Sequence, residues 1–212
     1  MKKQFIWITL GIVTFFVIIY VGGQQRENEH PTLNESAKMP DSYLKNVEYY
    51  EEKDRHEMSA FNLEKAIQSI WKLESDVDKS SFEKLESAIE RLENVHKSII
   101  RDSIDSNELR SSFEFALNNL AHAELEVSEM YAETNHIYEA NIALKYAQLH
   151  VKNAMLFHNP YWKGDSIQFA IEKQVFNEME RLLKDKSVSP AEYTLALDKM
   201  IKAIDVVIAN QQ

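Results

Sequence analysis

The sequence predicts an all-α protein: an antiparallel helical bundle, or a short stack of three helical hairpins (about six helices), behind a single N-terminal transmembrane helix. Three observations carry this. Apolar residues recur at three- and four-residue steps along most of the chain, and no strand-like alternation competes with them. Breakers are scarce: after residue 23 the only glycine is Gly164, and Pro31, Pro40, Pro160 and Pro190 all lie between periodic segments. Lastly, an uncharged stretch, QFIWITLGIVTFFVIIYV at residues 4–21, follows Met-Lys-Lys.

From Phe5 to Gly23 that stretch makes about 28 Å of helix at ~1.5 Å per residue, close to the hydrocarbon thickness of a bilayer. Phe5, Trp7 and Tyr20 suit its two interfaces. A cleaved signal peptide is the competing reading, since Val21-Gly22-Gly23 offers small residues. Signal h-regions, however, run only about 7–15 residues, which favours an uncleaved anchor. The chain therefore divides into a cytoplasmic stub (1–3), a signal anchor (4–23), a flexible polar linker (24–41) and an extracytoplasmic α-helical domain (42–212), periplasmic or extracellular. With so short a stub inside, any effect across the membrane requires a partner.

Asp41 or Ser42 is placed to cap a helix from Tyr43 carrying Leu44, Val47 and Tyr50. The charged run Glu51–Glu57 reads as a solvated stretch joining it to the next helix. Three hairpins then follow at about 58–104, 105–158 and 165–212. The first places Met58, Phe61, Ala66, Ile67, Ile70 and Trp71 on one helix; Ser80-Ser-Phe-Glu83 reads as a capping box opening a second, with Phe82, Leu85, Ile89, Leu92, His96 and Ile99.

Asp105 starts the central hairpin, whose arms carry Phe113, Leu117, Leu120, Leu125 and Met130, then Ile142, Tyr146, Leu149, Val151 and Leu156. Thr134 or Asn135 is the expected cap between them. Asp165 caps the next helix, with Ile167, Ile171, Val175 and Met179. Ser189-Pro-Ala-Glu192 is the clearest start of all, opening a helix that buries Ala196, Leu197, Met200, Ile204, Val207 and Ile208. At an offset of 54 the hairpins align: Phe61 with Phe115 and Phe169, Trp71 with Leu125 and Met179, Leu92 with Tyr146 and Met200. The layout loosely resembles helical-hairpin repeat families such as the tetratricopeptide proteins. It departs from their ~34-residue period and small-residue signature, so no function is carried over.

Composition narrows the chemistry. With 0 Cys there is no disulfide and no thiolate metal site. Lys2 and Lys3 precede the apolar stretch, so the rest carries 22 basic against 34 acidic groups, a balance of −12. That excludes a nucleic-acid footprint, which needs a basic face. A glycine-rich phosphate loop is impossible, and no nucleophile–base order is recognisable, so no enzyme activity and no cofactor are expected.

Glu93–His96 and Glu133–His136 share the E-x-x-H spacing of di-iron bundles, but they sit at different depths in their helices. His96 and His150 occupy equivalent positions at the 54 offset; facing each other, they would ligate haem or a metal ion. The loop His158–Gly164 sets Tyr161 and Trp162 beside His158, a residue set suited either to anchoring a partner or to plugging the bundle end. The leading expectation is a membrane-anchored protein-interaction or scaffold module with a protein partner in the envelope. A haem- or metal-binding bundle using His96 and His150 is the alternative.

Overall fold

The computed structural model describes residues 36–73, 77, 79–158, 165–185 and 187–211. Residues 4–23, expected to anchor the chain, lie outside that set. Among the described residues there is no strand, and no helix is long and apolar enough to cross a membrane.

Among the described residues, seven α-helices follow a 3-10 turn at Ser36–Lys38: α1 Met39–Glu51, α2 His56–Leu73, α3 Lys79–Ile100, α4 Ser106–Glu133, α5 Ile137–Phe157, α6 Asp165–Lys184 and α7 Pro190–Asn210. Each packs on the next, and α7 returns to α4, which also touches α1. Side-chain bonds show that neighbours run antiparallel. Ser59 reaches the Val47 carbonyl across α1–α2; Arg91 reaches Ser112 while Lys84 reaches His122 across α3–α4. Ser128 reaches the Ala140 carbonyl near the α4–α5 turn, and Phe113 meets Phe157 edge-on at 5.3 Å at the far end.

One more helix exists than expected. The charged run after Glu51 does not join two helices into one; the chain reverses there, and α1 lies along α2 with Leu44 and Val47 fully buried. The end of the expected linker is folded too. Ala37, Pro40 and Asp41 are buried, and the 3-10 turn packs on α1, α2 and α5. The helical domain thus takes in residues 36–41, which matters because Asp41 is a structural residue.

Reversals without glycine have a common device. Asp54, Asp102 and Asn135 have φ of 53°, 52° and 62°, the left-handed conformation in which Asp and Asn are the best tolerated non-glycine residues. Each closes the same pair of bonds. Asn135 N–H donates to the Ala132 carbonyl and His136 N–H to that of Tyr131; Asp54 with Arg55, and Asp102 with Ser103, repeat this on their own helices. That pairing satisfies carbonyls left open at a helix end. Neither Thr134 nor Asn135 caps α5: its N-cap is His136, without a side-chain bond. Asn135→Gly should therefore be neutral or slightly stabilising. Asn135→Val should cost about 1–2 kcal/mol in a denaturant melt, because a branched side chain clashes there.

Asp105 caps α4 by accepting from the Asn107 and Glu108 amides, and Ser189 with Glu192 forms the complete reciprocal box on α7. Ser189→Ala should cost ~0.5–2 kcal/mol. Ser80 is not a cap, since α3 already contains Lys79; the next residue, Ser81, is buried and used differently. Asp165 is the first residue of α6.

The core is organised round α4. Every residue from Ser112 to Leu125 is buried, so this helix has no solvent face over that length. Its closest neighbour, α5, presents Ala140, Ala143, Ala147, His150, Ala154 and Phe157 at alternating three- and four-residue steps. Small side chains let the backbones approach, which leaves the larger Ile142 and Leu149 at the flanks and Leu156 exposed, contrary to the expected stripe. The 54-residue alignment also separates residues with different surroundings: Phe61 is 51% exposed and Phe115 only 2%. Trp71 lies open while Leu125 and Met179 are sealed.

Candidate functional site

Seven buried positions on α4 are polar; besides Ser128, bonded to the Ala140 carbonyl of α5, six engage as follows. Ser112 accepts from Arg91 Nε on α3 at 3.2 Å. Glu114 accepts from Gln211 Nε2 beyond the end of α7 at 2.8 Å. Asn118 donates to the fully buried carboxylate of Glu172 on α6 at 2.8 Å, and Asn119 to its own helix at the Phe115 carbonyl. His122 engages α3 and α7, and Glu124 acts electrostatically on His150 of α5. Buried groups of this kind are tolerated only when paired, and the pairings fix register along each interface.

The His122 cluster has a directional order. Lys84 Nζ donates to Asp205 Oδ1 at 2.7 Å and approaches His122 Nε2, while His122 Nδ1 faces Ser81 Oγ at 3.4 Å. The Ser81 hydroxyl in turn donates to Glu126. Serine, histidine and aspartate thus meet, but not as a nucleophilic triad. The serine is on Nδ1, the aspartate (3.1 Å) on Nε2, and the hydroxyl is sealed from solvent. The cluster fastens α3, α4 and α7 together.

The second cluster fastens α1. His150 Nδ1 lies 2.7 Å from Asp41 Oδ2, with both side chains buried; Asn153 donates to the other Asp41 oxygen, and Lys45 to Asn153 Oδ1 at 2.7 Å. Burial works against charge on the imidazole, yet the Asp41 carboxylate, with Glu124 behind it, more than offsets this, so His150 titrates above its ordinary value. Nearby, Arg110 pairs with Glu48 of α1 at 2.6 Å and donates to the Leu156 and Phe157 carbonyls, closing the C-terminus of α5. Arg91 spans Ser111, Ser112, the Gln211 carbonyl and the Phe115 ring; burial pulls its guanidinium below the ordinary value.

The residues expected to carry function fall as follows. Tyr161 and Trp162 lie outside the described residues. His158 is half-buried, its ring 4.9 Å from that of Phe169. His150 is turned to Asp41, and His96 is a half-buried residue of α3. The helices that bear these two histidines pack on opposite partners apart from α4: α3 on α2, α5 on α6. Among the described residues no group of three or more His, Asp or Glu is placed to hold a metal ion. His136 lies in the exposed α4–α5 turn, bonded to Thr134.

The surface carries two open concavities among the described residues. A groove of about 790 Å³ runs between α6 and α7, floored by Ile171, Val175, Ala196, Met200 and Ala203. A smaller one, about 440 Å³, sets exposed Trp71 of α2 against a row of α3 glutamates, Glu83, Glu86, Glu90 and Glu93. The larger groove escaped sequence reading because its floor belongs to two helices whose buried stripes were legible only one at a time. No protein-family model matches the chain, and neither a curated protein nor a solved structure is similar to it.

Proposed function

We propose that the protein is a membrane-anchored, extracytoplasmic helical module that binds or scaffolds a protein partner in the envelope and performs no catalysis. One observation carries the reading: the buried polar groups of α4 and α5 are engaged in fastening helices, while an apolar groove between α6 and α7 faces outward. Residues 4–23 supply the anchor, from their length and lack of charge.

Two measurements test this. The full chain should stay in the membrane fraction through a high-salt wash with its N-terminus intact; a soluble form beginning near Gln24 would remove the anchor. A photo-crosslinker at Val206, on the groove wall, or at Trp71 should give a discrete adduct in the native host. No adduct at any exposed position of the helical domain would contradict an interaction role.

A further inference from the structure

The α6–α7 groove is bordered by more cations than carboxylates, against the sign of the chain as a whole. The chain as a whole carries −10, yet this groove is bordered by Lys173, Lys199 and Arg181 against a single carboxylate, Glu178. Arg181 and Glu178 are already joined by two bonds at 2.9 and 2.7 Å, which leaves the two exposed lysines as the rim's net charge. One lysine stands on each helix. The floor between them is aliphatic and partly alanine, a surface that admits another helix at close range.

The molecule itself seats an acidic helix beside a cation-bearing neighbour. Between Arg110 and Lys145 the sequence has no Lys or Arg, so α4 past its first turn is an acidic helix with apolar and small residues. It lies against α3, α5 and α7, and Lys84 and Arg91 of α3 reach its His122 and Ser112. Lys173 and Lys199 border a groove that no described helix fills, one on each of its helices.

We infer that the α6–α7 groove receives an amphipathic helix of another protein, its apolar face on Ile171, Ala203 and Val206 and its flanking carboxylates on Lys173 and Lys199. This rests on the interaction-module reading and names the partner's chemistry. Recognition is then of the helix-in-groove kind, with apolar contact supplying affinity and the rim selecting the sign of the flanks.

The test uses the full chain in detergent and two fluorescein-labelled peptides of identical apolar face, one flanked by Glu and one by Lys, followed by anisotropy. The Glu-flanked peptide should bind at least about tenfold tighter at low salt, and added salt should narrow the gap. Lys173→Glu with Lys199→Glu should reverse the preference, both sites being exposed and distant from the core. Val206→Glu, on the half-exposed groove wall, should weaken both peptides while leaving the melting temperature unchanged. Equal binding of the two peptides, or binding of neither by a folded protein, overturns the inference. So does concentration-dependent self-association that Lys173→Glu abolishes, since the occupant would then be a second copy. An adduct at Trp71 with none at Val206 would also overturn it while leaving the interaction role standing.

Discussion

Phe115→Ala should lower unfolding free energy by about 3–5 kcal/mol, the usual cost of emptying a sealed aromatic site. Phe61→Ala, at the aligned position of the first hairpin, should change it by less than about 0.5 kcal/mol. The contrast follows from where each ring goes. Phe115 lies in the stretch of α4 enclosed on every side and stacks beneath the Arg91 guanidinium at 4.9 Å; Phe61 stands in solvent with only Lys65 over its face. Urea melts of the two variants decide the point. Equal losses would mean that the hairpins are interchangeable units, and α4 would lose its special place.

Asp41→Ala should cost about 3–5 kcal/mol in mildly acidic solution, because it strands a charged, buried imidazole. The sign with pH follows from the raised pKa of His150. A group whose folded pKa lies above its unfolded value contributes fully below the latter, about 6.5, and the contribution fades as pH climbs through the folded value. The gap between wild type and variant should therefore be widest below about pH 6.5 and shrink in alkali. It should not vanish there, since Asn153 also loses an acceptor, worth about 1–3 kcal/mol when buried. A gap that is flat with pH, or grows in alkali, would mean that the pair is not ionised. The same reasoning predicts that a chain starting at residue 42 is weakened by nearly as much as the point variant, and that one starting at 36 is not.

Much of the architecture was legible. The central place of the α4–α5 hairpin, the caps at Asp105 and Ser189 and most of the buried face of α7, though not Tyr193 and Ile201, follow from spacing and cap chemistry, which are local. What was not legible depends on partners distant in sequence. The break after α1 is made by an aspartate in the left-handed conformation within a run of charges, and such a run reads equally well as an exposed helix. The α5 face was displaced because Ile142, Leu149 and Leu156 outweigh alanines on any hydrophobic scale, although the alanines allow the closest approach.

The buried polar row of α4 was the largest omission. Asn118, His122 and Glu124 look like a solvent face until Glu172, Lys84 and His150 arrive from other helices. One signal was available: the absence of Lys and Arg from 111 to 144, since a helix face open to water ordinarily carries some. The 440 Å³ groove beside Trp71 shows the converse error, an aromatic assigned to the core stripe that stays outside.

The account stands on α4 as the fixed axis from which α6–α7 is displayed. Native-state hydrogen exchange on the full chain tests this most directly. Amides of residues 112–125 should exchange only through global unfolding, with opening free energies that fall in step with the Phe115→Ala loss. Those of α6 should open at lower energy and gain protection when the Glu-flanked peptide binds. Amides of α6 more protected than those of α4 in the free protein would contradict the account.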